Sequence, residues 1–175
     1  MNPFANLTLP VNRHSFSGIA PQQLKAFLEA PSETTAAGLR DRALLQLLAH
    51  GIQLRQLHFM DLKHINREAK LIILSTQSRE RKFILLNESP WANLQRWLAI
   101  RDLFAMNTEA VFISLHWTAG RSQPGSRLSE RGMRAIVKKY LEQIGIRRSG
   151  INSRCITRSA TSPPARVSHH LGETT

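Results

Sequence analysis

Basic side chains are concentrated in two stretches of this chain, and their chemistry suits the binding of phosphate groups. One stretch lies within residues 76–86, and the other runs from residue 121 to residue 139. Between residues 121 and 150, eight lysines and arginines stand against two acids, an excess larger than solubility requires. A solvated charged surface is the alternative explanation. We predict that nucleic-acid phosphates are bound by Arg79, Arg81, Lys82, Arg121, Arg127, Arg131, Arg134, Lys138 and Lys139.

Few residues of the chain could act as a nucleophile or as a metal ligand. There is one tyrosine, Tyr140, and one cysteine, Cys155. Tyr140 falls inside a predicted helix, so we interpret it as a half-buried packing residue. The histidines have no metal-ligand spacing to acids or to the cysteine, and the glycines are scattered singly. We therefore predict no metal site and no cofactor. The histidines considered are His14, His50, His58, His64 and His116.

Composition narrows the class of protein. The chain has 175 residues and a formal net charge of +12, and 42% of its residues are hydrophobic, enough to build one compact core. A single cysteine excludes an internal disulfide. The apolar runs are too short to cross a bilayer, and the first ten residues lack the features of a signal peptide. We expect a cytoplasmic, nucleoid-associated protein whose partner is a polyanion and not a membrane.

Apolar periodicity indicates the elements that position these residues. Two apolar runs, LIIL and FILL, predict a β-hairpin with residues 75–81 as its loop, and VFISL at residues 111–115 predicts a short strand. Helices are predicted from Pro21, over residues 39–50, around Leu54 and Leu57, from the Ser89-Pro90 pair, and from a cap at Ser129. The fold class is therefore α+β, mainly helical, with a small antiparallel sheet.

Three segments, in this order, carry a resemblance to a known family. They are GLRDRALLQLLAHGIQLRQL at residues 38–57, STQSRERKFILL at residues 75–86 and LSERGMRAIVKKYLEQIGI at residues 128–146. Together they resemble the catalytic domain of the tyrosine recombinases, the phage-integrase family, over residues 10–151. The resemblance implies a fold in which a tyrosine attacks a DNA phosphate. Two arginines, a hairpin lysine and histidines then stabilise the phosphate and its leaving group.

The sequence departs from the family pattern at the positions that the resemblance assigns to catalysis. Gln53 stands in the place of the first arginine, and a neutral amide cannot offer a cationic fork to a phosphate. Thr76 stands in the place of the hairpin lysine. In the second block Cys155 replaces the histidine, and Arg158 is retained as an arginine. Tyr140 lies far upstream of the family nucleophile, so no catalytic set is intact.

The last part of the chain differs in character from the rest. Residues 152–175 have no sustained apolar period and contain two adjacent prolines, which is typical of a basic irregular tail. Read from the third base of the Ile156 codon, the allowed codons include the family's His-x-Leu-Arg-His block. We therefore hypothesise that the reading frame slipped near Ile151, which the nucleotide sequence of the gene tests. The predicted organisation is an arm or linker over residues 1–20, a catalytic-like domain over residues 21–151, and this tail.

These features predict a DNA-binding relative of the site-specific tyrosine recombinases that belongs to a mobile element and does not itself cleave double-stranded DNA. Three alternatives stay open. The chain could be active only with a partner recombinase that supplies a nucleophile or cations. It could instead be a module that binds a full-length tyrosine recombinase. It could also be a non-functional remnant of an integrase.

Overall fold

The computed structural model describes residues 19–75, 81–116 and 123–146. Within these residues the mainly helical α+β class with a small antiparallel sheet is confirmed, and no helix is long and apolar enough to cross a membrane. The strands are β1 (Ile65–Asn66), β2 (Leu71–Ser75) and β3 (Arg81–Leu85). The helices are α1 (Pro21–Glu29), α2 (Ala36–Ala49), α3 (Leu54–His58), α4 (Glu88–Arg101) and α5 (Glu130–Gln143).

Helix α2 forms the centre of the core. Buried side chains occur all round it, as its run of leucines predicts, and it packs mainly against α4. The helix begins at Ala36 rather than near residue 39 because Thr35 caps it. The Thr35 Oγ1 accepts a hydrogen bond from the Gly38 N–H at 3.1 Å. Gly51 follows the helix at φ 95°, a backbone conformation that residues other than glycine rarely adopt.

The sheet has the order β1-β2-β3, and β2 and β3 form the predicted hairpin. Ile72 pairs with Ile84, and both side chains belong to the core. On the opposite face, the side chains of Phe83 and Leu85 are exposed. Strand β1 adds the pair of Ile65 with Ile72. Sequence periodicity does not reveal β1, because a strand of two residues is too short to show an alternation.

Helix α4 begins directly after its N-cap, Asn87. The prediction that Ser89 caps the helix is therefore wrong, whereas Pro90 lies in the first turn as predicted. Proline is tolerated there because the first N–H groups of a helix have no partner within it. Trp91 and Trp97 are buried, which confirms the prediction that they pack in the core.

Residues 111–114 are buried and Leu115 is partly buried, but the prediction of a strand over residues 111–115 is wrong. The pairing of this segment is limited to a single bridge between Ile113 and Arg127. The Trp97 Nε1 donates a hydrogen bond to the carbonyl oxygen of Val111 at 2.8 Å. The Val111 N–H donates to the Met60 carbonyl, whereas the Phe112 carbonyl accepts from the Leu128 N–H, both at 2.9 Å, so the backbone bonds go to separate parts of the chain and no continuous ladder forms.

Helix α5 carries the predicted apolar stripe. Ser129 caps it as predicted, since its Oγ accepts a hydrogen bond from the Gly132 N–H at 3.1 Å. Gly145, at φ 79°, follows the last turn. The buried side chains are those of Met133, Ile136, Val137, Tyr140 and Leu141. The other side of α5 faces solvent, and α3 packs against the helix.

Candidate nucleic-acid interface

Gln53 lies immediately before α3 and presents a neutral amide to solvent. It is the N-cap residue of the helix, and its side chain is exposed. Its backbone N–H donates a hydrogen bond to the Gln56 Oε1 at 3.0 Å. Arg55 is exposed as well, in the first turn of α3, whereas Gln53 precedes that helix with an extended backbone at φ −74° and ψ 152°.

Helices α3 and α5 pack against each other, so the surface near Gln53 has a fixed position relative to α5, which carries four of the predicted phosphate-binding residues. The imidazole Nδ1 of His58, at the end of α3, lies 3.0 Å from the carbonyl oxygen of Leu128. Leu128 is buried and directly precedes the cap of α5. The position that the family pattern assigns to an arginine is thus held by the same packed pair of helices that carries four of the nine predicted phosphate-binding residues.

The solvent-facing side of α5 carries four of the predicted phosphate-binding residues, Arg131, Arg134, Lys138 and Lys139. Arg134 forms an ion pair with Glu130, and Lys138 forms one with Glu142 at 3.7 Å. Exposed pairs one helical turn apart are weak, so they hold these cations only loosely. Neither Arg131 nor Lys139 has an ion pair within the described part of the chain.

Arg127 differs from the residues on α5 because its guanidinium group already has internal partners. Its Nη1 donates a hydrogen bond to the carbonyl oxygen of His58 at 2.7 Å. Its Nη2 forms a salt bridge with the Asp61 Oδ1 at 2.5 Å. These contacts tie the strand-like segment before α5 to the turn after α3. Phosphate binding by Arg127 stays a prediction, and its established contacts are structural.

The single tyrosine of the chain is buried and hydrogen-bonded inside the protein. Tyr140 is 4% exposed, and its hydroxyl donates to the Asp41 Oδ2 at 3.1 Å. Burial, and after it the negative charge of Asp41, raises the pKa of Tyr140 well above its usual range. A nucleophile must reach a phosphate and lose its proton, and this hydroxyl is placed to do neither. Tyr140 is a packing residue as predicted, although it is buried rather than half-buried.

Sequence reasoning did not single out Arg40 and Asp41, which form a buried ion pair. The Arg40 Nε and Nη2 donate to the Asp41 Oδ1 at 2.9 Å and 2.6 Å. The Arg40 Nη1 donates to the carbonyl oxygen of Ile113 at 3.1 Å. The sequence did hold a signal, because two opposite charges stand side by side in a helix that is otherwise predicted to be buried all round. An unpaired charge is costly in such a helix, so the two charges are expected to pair. The pair connects α2 to the segment 111–115.

The hairpin contributes one described basic side chain to the predicted surface. Lys82 lies on β3, is exposed, and pairs in register with the buried Leu74. The backbone of Arg81 pairs with that of Ser75. Within the described residues no group of His, Cys, Asp and Glu side chains could hold a metal ion. Outside those residues lie Thr76, Arg79, Arg121, Cys155 and Arg158, whose predicted roles stay predictions.

The fold agrees with a comparison against known families. Residues 18–160 match the Phage integrase family. This range contains every helix and strand described above. The chain belongs to the phage integrase family, and it is related to the site-specific tyrosine recombinases of DNA recombination. The resemblance seen in the three sequence segments is confirmed.

Individual relatives make the relationship more specific. The chain is 29% identical over 155 residues to the tyrosine recombinase XerC of Haemophilus influenzae, which covers 87% of this chain and 48% of that protein. It is 29% identical over 134 residues to the tyrosine recombinase XerC of Pelotomaculum thermopropionicum, covering 72% of this chain and 41% of that protein. The chain thus spans about half the length of these relatives or less.

Solved structures show the same fold. The crystal structure of the XerA recombinase superposes with a TM-score of 0.67 at 15% identity, covering 82% of this chain and 48% of that one. The XerH recombinase bound to its difH substrate in a pre-cleavage complex gives a TM-score of 0.66 at 17% identity, covering 82% and 41%. At these identities the similarity establishes the fold and leaves ligands to be argued from the residues.

Proposed function

We propose that this protein binds double-stranded DNA through the basic side of α5 and the hairpin, and that it does not cleave the DNA by itself. The observation that supports the absence of cleavage is the burial of Tyr140, the chain's only tyrosine, whose hydroxyl donates a hydrogen bond to Asp41. The first part is supported by the exposed cations Arg131, Lys139 and Lys82. It is also supported by the relationship to XerH, which was solved on DNA. Such a protein acts in the cytoplasm at the nucleoid, as a product of a mobile element.

The chemistry of strand cleavage explains why binding and cutting separate here. Phosphoryl transfer needs fixed cations where negative charge develops, in addition to a nucleophile in line with the leaving group. Gln53 can accept or donate a hydrogen bond at a phosphate oxygen but supplies no charge. Backbone phosphate binding makes no such demand, because each lysine or arginine that releases a counterion contributes independently of the others.

A salt titration of binding to random duplex DNA tests the DNA-binding part. The full chain and a version that ends at Ile151 should both bind, because α5 and the hairpin are present in each. The logarithm of the affinity should fall linearly with the logarithm of the salt concentration, by about 0.9 for each phosphate contacted. Binding by the full chain alone would assign the affinity to residues 152–175. Absence of binding by both versions would exclude a DNA-binding role for this chain.

A covalent-trapping assay tests the second part. A labelled suicide substrate, nicked so that cleavage cannot be reversed, should give no protein–DNA adduct that survives denaturation. The assay is run alone and with a full-length tyrosine recombinase as partner. An adduct on this chain without the partner would contradict the proposal. An adduct on this chain only when the partner is present would instead support the partner-dependent enzyme.

A further inference from the structure

A continuous series of polar contacts runs from the core of the protein to one exposed lysine of α5. The buried Arg40 donates to the Oδ1 of Asp41, and the Tyr140 hydroxyl donates to the Oδ2 of the same carboxylate. The Lys139 Nζ lies 3.3 Å from the Tyr140 hydroxyl oxygen and 4.6 Å from the centre of its ring. Lys139 is exposed, whereas the other three residues are buried.

The direction of these hydrogen bonds favours a lysine at the outer end. The Tyr140 hydroxyl has one proton, and that proton points to the Asp41 carboxylate. The hydroxyl oxygen is left with lone pairs only, so the group beside it must be a donor. An ammonium group has three donors, and the face of a tyrosine ring also attracts a cation. Tyr140 thus offers Lys139 two favourable contacts at once.

Lys138 provides an internal comparison on the same helix. It is exposed like Lys139, but its partner is the exposed Glu142, at 3.7 Å. A weak pair between two long, solvated side chains restricts little of their motion. Lys139 instead rests against a buried ring that is itself fixed by Asp41. The two neighbouring lysines, both charged and exposed, therefore differ in the contacts that restrain them.

We propose that Tyr140 is a positioning residue, which holds the Lys139 ammonium in place as a preset contact for a DNA phosphate. The inference rests on the proposed DNA binding and deepens it. A lysine that is already ordered loses less side-chain entropy on contacting a phosphate than a free one does. The one tyrosine of this chain thereby serves DNA binding through a neighbouring cation.

A pair of double-mutant cycles in the full chain tests this role with random duplex DNA as the probe. Lys139→Gln should weaken binding about five- to tenfold at about 0.1 M salt and lower the salt slope by about 0.9. Tyr140→Phe should weaken binding about threefold and leave the slope unchanged, because the number of contacted phosphates stays the same. Tyr140→Phe should have no further effect beside Lys139→Gln, but its full effect beside Lys138→Gln. Lys25→Gln, on α1, is the charge-matched control outside the surface.

A measurement without DNA completes the test. In the NMR spectrum of the free protein, the side chain of Lys139 should be more ordered than that of Lys138, and the difference should disappear in Tyr140→Phe. Equal mobility of the two lysines would overturn the proposal, and this comparison needs only the unaltered protein if Tyr140→Phe fails to fold.

The binding results separate the two levels of the argument. An unchanged salt slope in Lys139→Gln, or additive effects in the cycle with Lys139, would overturn the positioning role while leaving DNA binding intact. If the unaltered chain did not bind DNA at all, the proposed function would fail and this inference with it.

Discussion

At the scale of single residues, the role of a basic side chain is decided by what it already contacts. Arg40 and Arg101 are buried and donate to Asp41 and to backbone carbonyls, so their charge is committed to the fold. Arg127 is committed in the same way, although it is partly exposed. Arg131 has no ion pair among the described residues, so it is free to contact a phosphate. A count of basic residues therefore overstates the binding surface.

Replacing Arg127 separates these two kinds of arginine. Arg127→Met removes two charge-assisted hydrogen bonds and leaves Asp61 without its short salt bridge, so the free energy of unfolding should fall by about 1–3 kcal/mol. Arg131→Met is the matched control, and it should change stability by no more than about 0.5 kcal/mol. Urea denaturation of both variants measures the difference. Equal stabilities would show that the Arg127 contacts make no net contribution to folding.

At the scale of elements, the sequence predicts helix caps and hairpins well, but it predicts contacts between residues far apart in the sequence poorly. The α5 cap at Ser129 and the β2–β3 hairpin are visible in short windows of sequence. The site positions Gln53 and Tyr140 are also visible, because a family pattern and a helical period identify them. The partner of Arg127 is not, since Asp61 lies 66 residues away. The same holds for the segment 111–115, whose backbone bonds go to separate parts of the chain.

An ion-pair cluster at Glu33, between α1 and α2, predicts how stability changes with pH. Its carboxylate contacts Arg96 on α4 at 3.1 Å and Arg42 on α2 at 2.8 Å. The hydrogen bond from Arg96, and then the charge of Arg42, hold the pKa of Glu33 below its usual range. A pKa lowered by folding stabilises the protein above the unfolded pKa, and this stabilisation is lost as the pH falls through the folded pKa.

Melting temperatures measured between about pH 6 and about pH 3 test the cluster. Glu33→Gln removes the titrating group, so the variant should lose less stability on acidification than the unaltered protein. Glu29→Gln, on the neighbouring helix, is the control, because Glu29 has no ion pair in the described part of the chain. Parallel acid profiles for the Glu33 variant and the unaltered protein would contradict this assignment.

At the scale of the whole molecule, the core stabilises the fold, and the exposed basic side chains are proposed to bind DNA. The core joins α2 to α4 and includes buried side chains of the sheet and of α5. Its described buried charges are Arg40, Asp41 and Arg101; the first two neutralise each other, and Arg101 pairs with the exposed Asp102. Substitutions of the exposed lysines of the predicted surface, Lys82, Lys138 and Lys139, should therefore change DNA affinity without changing stability. Substitutions in the core should change both.

The boundary of that core predicts the effect of removing the last part of the chain. Helix α5 closes with Gly145 at φ 79° and a hydrogen bond from the Ile146 N–H to the Leu141 carbonyl at 2.8 Å. We expect residues 152–175 to add no packing to this core, so deletion of everything after Ile151 should change the melting temperature by less than about 2 °C. Leu141→Ala is the positive control, since it empties a buried site and should cost about 2–4 kcal/mol. A fall in the deletion variant as large as that of Leu141→Ala would mean that residues 152–175 pack against this domain.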